Sequence, residues 1–218
     1  MSRQHTAAFL DQREAILTQA AALFASRGFS DTSMNAVASA CGMSKATLYH
    51  YVRDKSALLA QIALTHVERL EALVQRVLAE PHDPQVRLQQ LILHFVAEYA
   101  NARHAHRVLT EDMKFLSSTD RAKVVAGQRR VVDAFADTVA QLRPDLAKAG
   151  LHKAVTMLLF GMINWMFTWL RPDGAITHAQ MAPIVSELFF GGLQAVVAQA
   201  AQPKQRERRS ARVVLMNN

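Results

Sequence analysis

The sequence predicts an all-α protein: a small three-helix head followed by a larger helical domain. Three observations carry this. Apolar residues recur at intervals of three and four along nearly the whole chain, the spacing that gives a helix one buried face. The 218 residues hold only eight Gly and six Pro, placed mostly where helices would end. Half of the residues are hydrophobic, enough to fill a substantial core. The expected division is a head over residues 1–55, a second domain over 56–201, and a basic tail over 202–218 that is expected to be disordered.

Residues 1–10 read as a loose arm. From residue 12 to 27, Ile16, Ala20, Leu23 and Phe24 form one apolar stripe, and Gly28 ends the helix. Two short helices follow, over about 34–41 and 45–51. Ser33 and Ser44 precede them, where a hydroxyl can accept from otherwise unpaired backbone N–H groups. Gly42 lies past the first of them, where glycine tolerates the positive φ that reverses the chain. The small Ala38 allows two helices to touch, Gly42 makes the corner, and Leu48 anchors the second helix in a core. That order and spacing is a helix-turn-helix. Lys45, Ala46, Thr47, Tyr49 and His50 are left on the outside, and this mixture suits a helix lying against phosphates and base edges. Asp54 then caps a long helix to about residue 80, with Leu58, Leu59, Ile62, Val67, Leu70, Leu73, Val74 and Val77 on its apolar side. Pro81 and Pro84 close it.

The second region begins with a helix carrying Val86, Leu88, Leu91, Ile92, Phe95, Val96 and Tyr99. A shorter helix is expected over residues 103–116, and another from Thr119 or Asp120 to about Leu142. Pro144 suits a first helical turn. Residues 154–170 are apolar almost throughout, but shorter than the roughly 20 residues that a bilayer requires, and they contain Asn164. Burial in a dimer core is the expectation, not a membrane span. Arg171-Pro172-Asp173-Gly174 is a turn by composition, and a final helix is expected over residues 181–201.

Several function classes are excluded or disfavoured. Cys41 is the only cysteine, so no internal disulfide or cysteine-rich metal framework can form. No nucleophile–base pair, phosphate loop or paired-acid motif is present, and His104 and His106, two residues apart on a helix, point in different directions. The chain is expected to be no enzyme and to hold no metal or cofactor. No apolar signal segment opens the sequence, which points to the cytoplasm. The net charge of +7 fits a polyanionic partner, although much of it sits in the tail, at Lys204, Arg206, Arg208, Arg209 and Arg212.

Residues 12–62, and most specifically GFSDTSMNAVA, GMSKATLYHYVRDK and SALL, resemble the DNA-binding domain of the TetR family of bacterial transcriptional regulators. One departure is visible: the family usually carries an acidic residue in the first helix of the motif, and Asn35, Ala36, Ser39 and Ala40 are uncharged. The resemblance implies that Lys45 and Ala46 face the major groove, with Thr47 and Tyr49 on base edges or phosphates. His50 and Lys55 would hold the DNA backbone, as would Thr32, Ser33 and Ser44, with Tyr51 either on phosphate or packed. Farther on, LLFGMINWMFTWLRPDG and LFFGGL look like the ligand domain of a TetR subgroup that often answers to acyl-CoA thioesters.

The reading that follows is a homodimeric regulator, a ligand-released repressor on a palindromic double-stranded operator. It pairs through its last two helices, where Gly161, Gly191 and Gly192 permit close approach. Its effector is a small apolar molecule, acyl-CoA-like in one version. Phe95, Tyr99, Leu109, Met113, Leu116, Phe160, Asn164, Trp165 and Phe167 are the expected lining of the effector pocket. Arg103, His104, His106, Arg107 and Lys114 are candidate cations at its mouth. The alternative is a helical small-molecule-binding protein without a role on DNA, against which the set Lys45, Thr47, Tyr49, His50 and Lys55 argues.

Overall fold

The structure, a computed structural model, describes the backbone of residues 2–171 and 173–198, and their side chains apart from those of residues 2–7 and Phe167. The expected basic tail lies outside the described residues. Among those described there are ten α-helices, one short 3-10 turn and no strand.

The head is built from α1 (Ser2–Arg27), α2 (Met34–Ala40) and α3 (Lys45–Tyr51). Its capping follows the residue chemistry closely. Ser33 accepts from the amide of Ala36 at 3.1 Å, and Ser44 from that of Thr47 at 3.0 Å. Gly28 and Gly42 reverse the chain at φ +87° and +65°, a region that a Cβ makes costly. Ile16, Ala20, Phe24, Val37, Ala38, Leu48 and Val52 close around one another. Leu48 is fully buried; truncating a leucine so placed costs about 2–5 kcal/mol.

The lever is α4 (Lys55–Ala79), started by Asp54, whose carboxylate accepts from the amide of Ala57 at 2.7 Å. It serves two cores. Leu58, Leu59 and Ile62 complete the core of the head, whereas Leu70, Leu73, Val74 and Val77 belong to that of the body. Between them, Ala63 and Val67 pack on Leu109 and Val124.

The body comprises α5 (Pro84–Asn101), α6 (Arg103–Glu111), a 3-10 turn (Met113–Phe115), α7 (Ser118–Leu142), α8 (Pro144–Lys148), α9 (His152–Trp169) and α10 (His178–Ala195). Phe95, Phe135 and Phe160 interlock at its centre; ring centroids are 4.8 Å apart for Phe95–Phe135 and 4.9 Å for Phe135–Phe160. Gly127 permits α7 to press on α4, since a Cβ there would collide with the side chains of Val67 and Glu71. Arg130 reinforces that contact with two hydrogen bonds to Glu71, at 3.0 and 2.8 Å.

Four boundaries differ from the sequence expectation. The first helix starts at Ser2 and takes in the expected arm, because nothing between Ser2 and Arg27 breaks a helix. The helix expected over 103–116 divides at Asp112, where α6 gives way to the 3-10 turn. Ser117, not Thr119, caps α7 by accepting from the amide of Asp120 at 3.1 Å. The last helix lies earlier than expected, because Thr177 and Gln180 form a reciprocal capping box that satisfies two orphan amides at once.

Candidate nucleic-acid interface

Leu48 fixes α3 by turning one face into the core. The opposite face presents Lys45, Ala46, Thr47, Tyr49 and His50 to solvent, with Tyr49 45% exposed. This face carries an ammonium, two hydroxyls, an imidazole and a methyl group, and no acid. The Ser44 and Thr47 hydroxyls are hydrogen-bonded at 2.8 Å, which leaves them together at the start of the exposed face. Ser33 is exposed in the same way at the start of α2. Such groups can donate to phosphate oxygens and to base edges, and a methyl can meet the thymine methyl group.

Three of the expected contact residues are otherwise engaged. Thr32 is buried at 1% exposure, and its hydroxyl donates to the Gly28 carbonyl at 2.8 Å. The Lys55 ammonium donates to the carbonyls of Phe29 and Ser30, at 2.8 and 3.1 Å. Tyr51 is half-buried and stacks on Phe9 of α1, centroids 4.8 Å apart. Arg53, which the sequence reading did not select, is 83% exposed between α3 and α4 and pairs with Asp54 at 2.7 Å. The Ala57 amide, and then Arg53, hold the Asp54 carboxyl below its ordinary range.

The residues expected to line an effector pocket fall into separate groups. Phe95, Tyr99 and Phe160 are buried in the main core of the body. Leu109, Met113 and Leu116 lie in the small cluster against α4 and α7. Asn164 is half-buried, and its Oδ1 is shielded from solvent without a hydrogen-bond partner. Trp165 points outward at 67% exposure, because helical periodicity places it with Leu158 and Trp169 on the open side of α9. The Phe167 side chain lies outside the described residues.

That open side of α9 continues onto α10. Met157, Leu158, Trp165 and Trp169 on α9, and Ile184 and Leu188 on α10, are all exposed large apolar residues. A Cβ added at Gly161, Gly191 or Gly192 would meet nothing within 4 Å. A contiguous apolar face of this kind marks an interaction surface.

His106, expected as a cation at the pocket mouth, is instead buried and uncharged in a pair with His66, which sequence reasoning did not select. His66 and His106 are each 2% exposed, with His66 Nε2 3.4 Å from His106 Nδ1, and His106 stacks on Tyr99 at 3.7 Å. The available signal was the place of His66 on the apolar stripe between Ile62 and Leu70. Burial, with a smaller contribution from Arg69, lowers His66 to about 4; burial, then His66, lowers His106 to about 3. Burial pushes the Cys41 thiol up, away from thiolate chemistry. Among the described residues no group of three or more His, Cys, Asp or Glu could hold a metal ion, and no helix is long and apolar enough to cross a membrane.

Comparison with known proteins agrees with this geometry. The family model described as bacterial regulatory proteins, tetR family, matches residues 16–62, and that described as tetracyclin repressor-like, C-terminal domain, matches residues 81–193. The transcriptional repressor KstR2 of Mycolicibacterium smegmatis is 23% identical over 192 residues, 84% of this chain and 90% of that protein. Among solved structures, a TetR-family transcriptional regulator from Bordetella parapertussis 12822 is 36% identical with a TM-score of 0.78, covering 85% of this chain and 97% of the other. AibR, solved in complex with isovaleryl coenzyme A and operator DNA, is 27% identical with a TM-score of 0.70, over 81% of this chain and 97% of its own.

Proposed function

Because the chain belongs to the tetR family of bacterial regulatory proteins, we propose that this DNA-binding transcriptional regulator is a homodimeric repressor released from a palindromic operator by an apolar effector. The single observation that carries the reading is the exposed face of α3, with Lys45, Ala46, Thr47, Tyr49 and His50 outward over the buried Leu48. These five residues, with Ser33 and Ser44, are the proposed DNA contacts. Thr32 and Lys55 instead hold the head together, and Tyr51 orients α3 against α1.

One head reads too few bases for useful specificity, so two heads on successive major-groove faces are required. The apolar face of α9 and α10 is the proposed dimer interface. It is isologous, since a two-fold axis places each patch on its own copy.

The effector is proposed to enter the body beside Phe95, Tyr99, Phe160 and Asn164. The unpartnered Asn164 oxygen supports this, because a buried acceptor calls for a donor. Repacking there moves α7, and α7 is pressed on α4 at Gly127. As α4 supplies residues to both cores, its displacement changes the separation of the two heads and lowers operator affinity. A second path runs through Phe115 of the 3-10 turn, which stacks on Phe29 of the head at 5.0 Å.

AibR was solved with an acyl-CoA, which makes this ligand class the first to test. Fluorescence anisotropy of the operator complex, titrated with short-chain, long-chain and aromatic acyl-CoAs, should show release by at least one of them. No change with any member of the panel would remove the thioester assignment.

A further inference from the structure

A cavity of about 300 Å³ lies where α1, α4 and the start of α6 meet, apart from the aromatic core of the body. Leu10, Leu17, Ile62 and Ala105 give it apolar walls, and Arg13 and His66 stand among several polar lining residues. His66 is 2% exposed, and its Nδ1 has no hydrogen-bond partner; only Nε2 is used, toward His106. A buried polar atom left in this way carries a desolvation cost that a bound partner removes. Arg13 forms no ion pair among the described residues, whereas the neighbouring Arg69 and Glu14 pair with each other and cancel. The cavity therefore combines one surplus positive charge with a mixed lining, apolar at Leu10, Leu17 and Ile62 and polar at Thr18, Thr65, Asn101 and His104, and a closed-off imidazole behind its wall.

We propose that this cavity is a ligand site, distinct from the effector pocket of the body, for a small monocarboxylic acid with an apolar or aromatic tail. The carboxylate pairs with Arg13; His66 Nδ1–H, closed off behind the cavity wall, becomes a second donor once a small shift of that wall admits the carboxylate, in the tautomer in which His106 Nδ1–H donates to His66 Nε2. The tail lies against Leu10, Leu17 and Ile62. At about 30 Å³ for each water-sized unit of volume, the space accommodates about ten non-hydrogen atoms. This fits an acid the size of octanoate or phenylacetate. An occupant touches α1 of the head, the lever α4 and α6 of the body, so it ties the head to the body at the place where their relative position is set.

The test is calorimetric titration of the full-length protein with octanoate and phenylacetate, with octanamide and phenylacetamide as neutral counterparts. At least one acid should bind with a Kd of about 1 mM or tighter, within reach of ligands this small, and its amide at least tenfold more weakly. Arg13→Gln, a change at the rim, should weaken the acid at least tenfold, as should His66→Phe, while Asn164→Leu leaves it unchanged. The proposal is overturned if neither acid binds, if the amides bind equally well, if Arg13→Gln has no effect, or if Asn164→Leu abolishes binding. DNA takes no part in this titration, so its outcome stands apart from the repressor assignment.

Discussion

The ammonium of Lys55 donates to the carbonyl of Phe29 at 2.8 Å and lies 4.5 Å from the centre of the same residue's ring. The first residue of the lever is thereby clamped to the turn that follows α1. A lysine beside a recognition helix is an obvious candidate for a phosphate contact, yet this one is already bound within the fold. A hydrogen bond from a charged donor contributes about 1.5–3 kcal/mol where water is excluded and less at a half-exposed site such as this, and a cation over a ring adds about 0.5–1 kcal/mol.

Lys55→Met should therefore act on stability and leave the electrostatics of DNA binding alone. We expect a loss of about 1–3 kcal/mol in urea denaturation. The dependence of log affinity on log salt should stay as in the parent protein. For Lys45, on the proposed DNA-facing side of α3, replacement by Gln should reduce that slope by about one unit per site. Equal slopes for the two variants would return Lys55 to the DNA interface.

The exposed apolar face of α9 and α10 predicts a homodimer. Leu158→Glu combined with Leu188→Glu places charge on residues 69% and 65% exposed in the protomer, so the isolated chain should fold normally. In sedimentation equilibrium the double variant should be monomeric where the parent is dimeric, with operator affinity reduced at least a hundredfold. A variant that stays dimeric would place the interface elsewhere.

The His66–His106 pair predicts an acid-sensitive fold. Both imidazoles have folded-state values, about 4 and about 3, below the ordinary 6.5. The unfolded chain therefore binds more protons than the folded one as pH falls below 6.5, and stability must rise with pH across that window. The contribution is fully present above pH 6.5 and is lost progressively toward pH 4. The melting temperature should fall over that interval, and the fall should be smaller in His66→Phe, which has one fewer buried imidazole to charge. An unchanged pH profile in the variant would remove His66 from the explanation.

Local chemistry made much of this architecture legible. Ser33, Ser44 and Asp54 each cap the helix that their position implied, Gly42 adopts the positive φ its place in the turn required, and Leu48 is in the core. The Thr177–Gln180 capping box was also written in the chain, as Thr-x-x-Gln before an apolar run, and would have corrected the start of α10. What could not be read depends on distant partners. Lys55 is engaged with a carbonyl 26 residues away, and Tyr51 stacks on a ring 42 positions earlier in the chain. An apolar stripe likewise does not say whether its aromatic residues line a cavity or interlock. Phe95, Phe135 and Phe160 interlock here, whereas the cavity beside His66 is bounded by residues from four helices that no local pattern links.

The recognition role of α3 can be tested most directly by selecting bound duplexes from a random pool, first with the parent protein and then with Lys45→Ala/Tyr49→Ala. The parent should enrich an inverted repeat whose half-sites lie about one helical turn, or a multiple of it, apart. The double variant, still dimeric and with an unchanged melting profile, should lose that preference. Enrichment of the same repeat by the variant with undiminished affinity would contradict the assignment of α3 as the element that reads DNA.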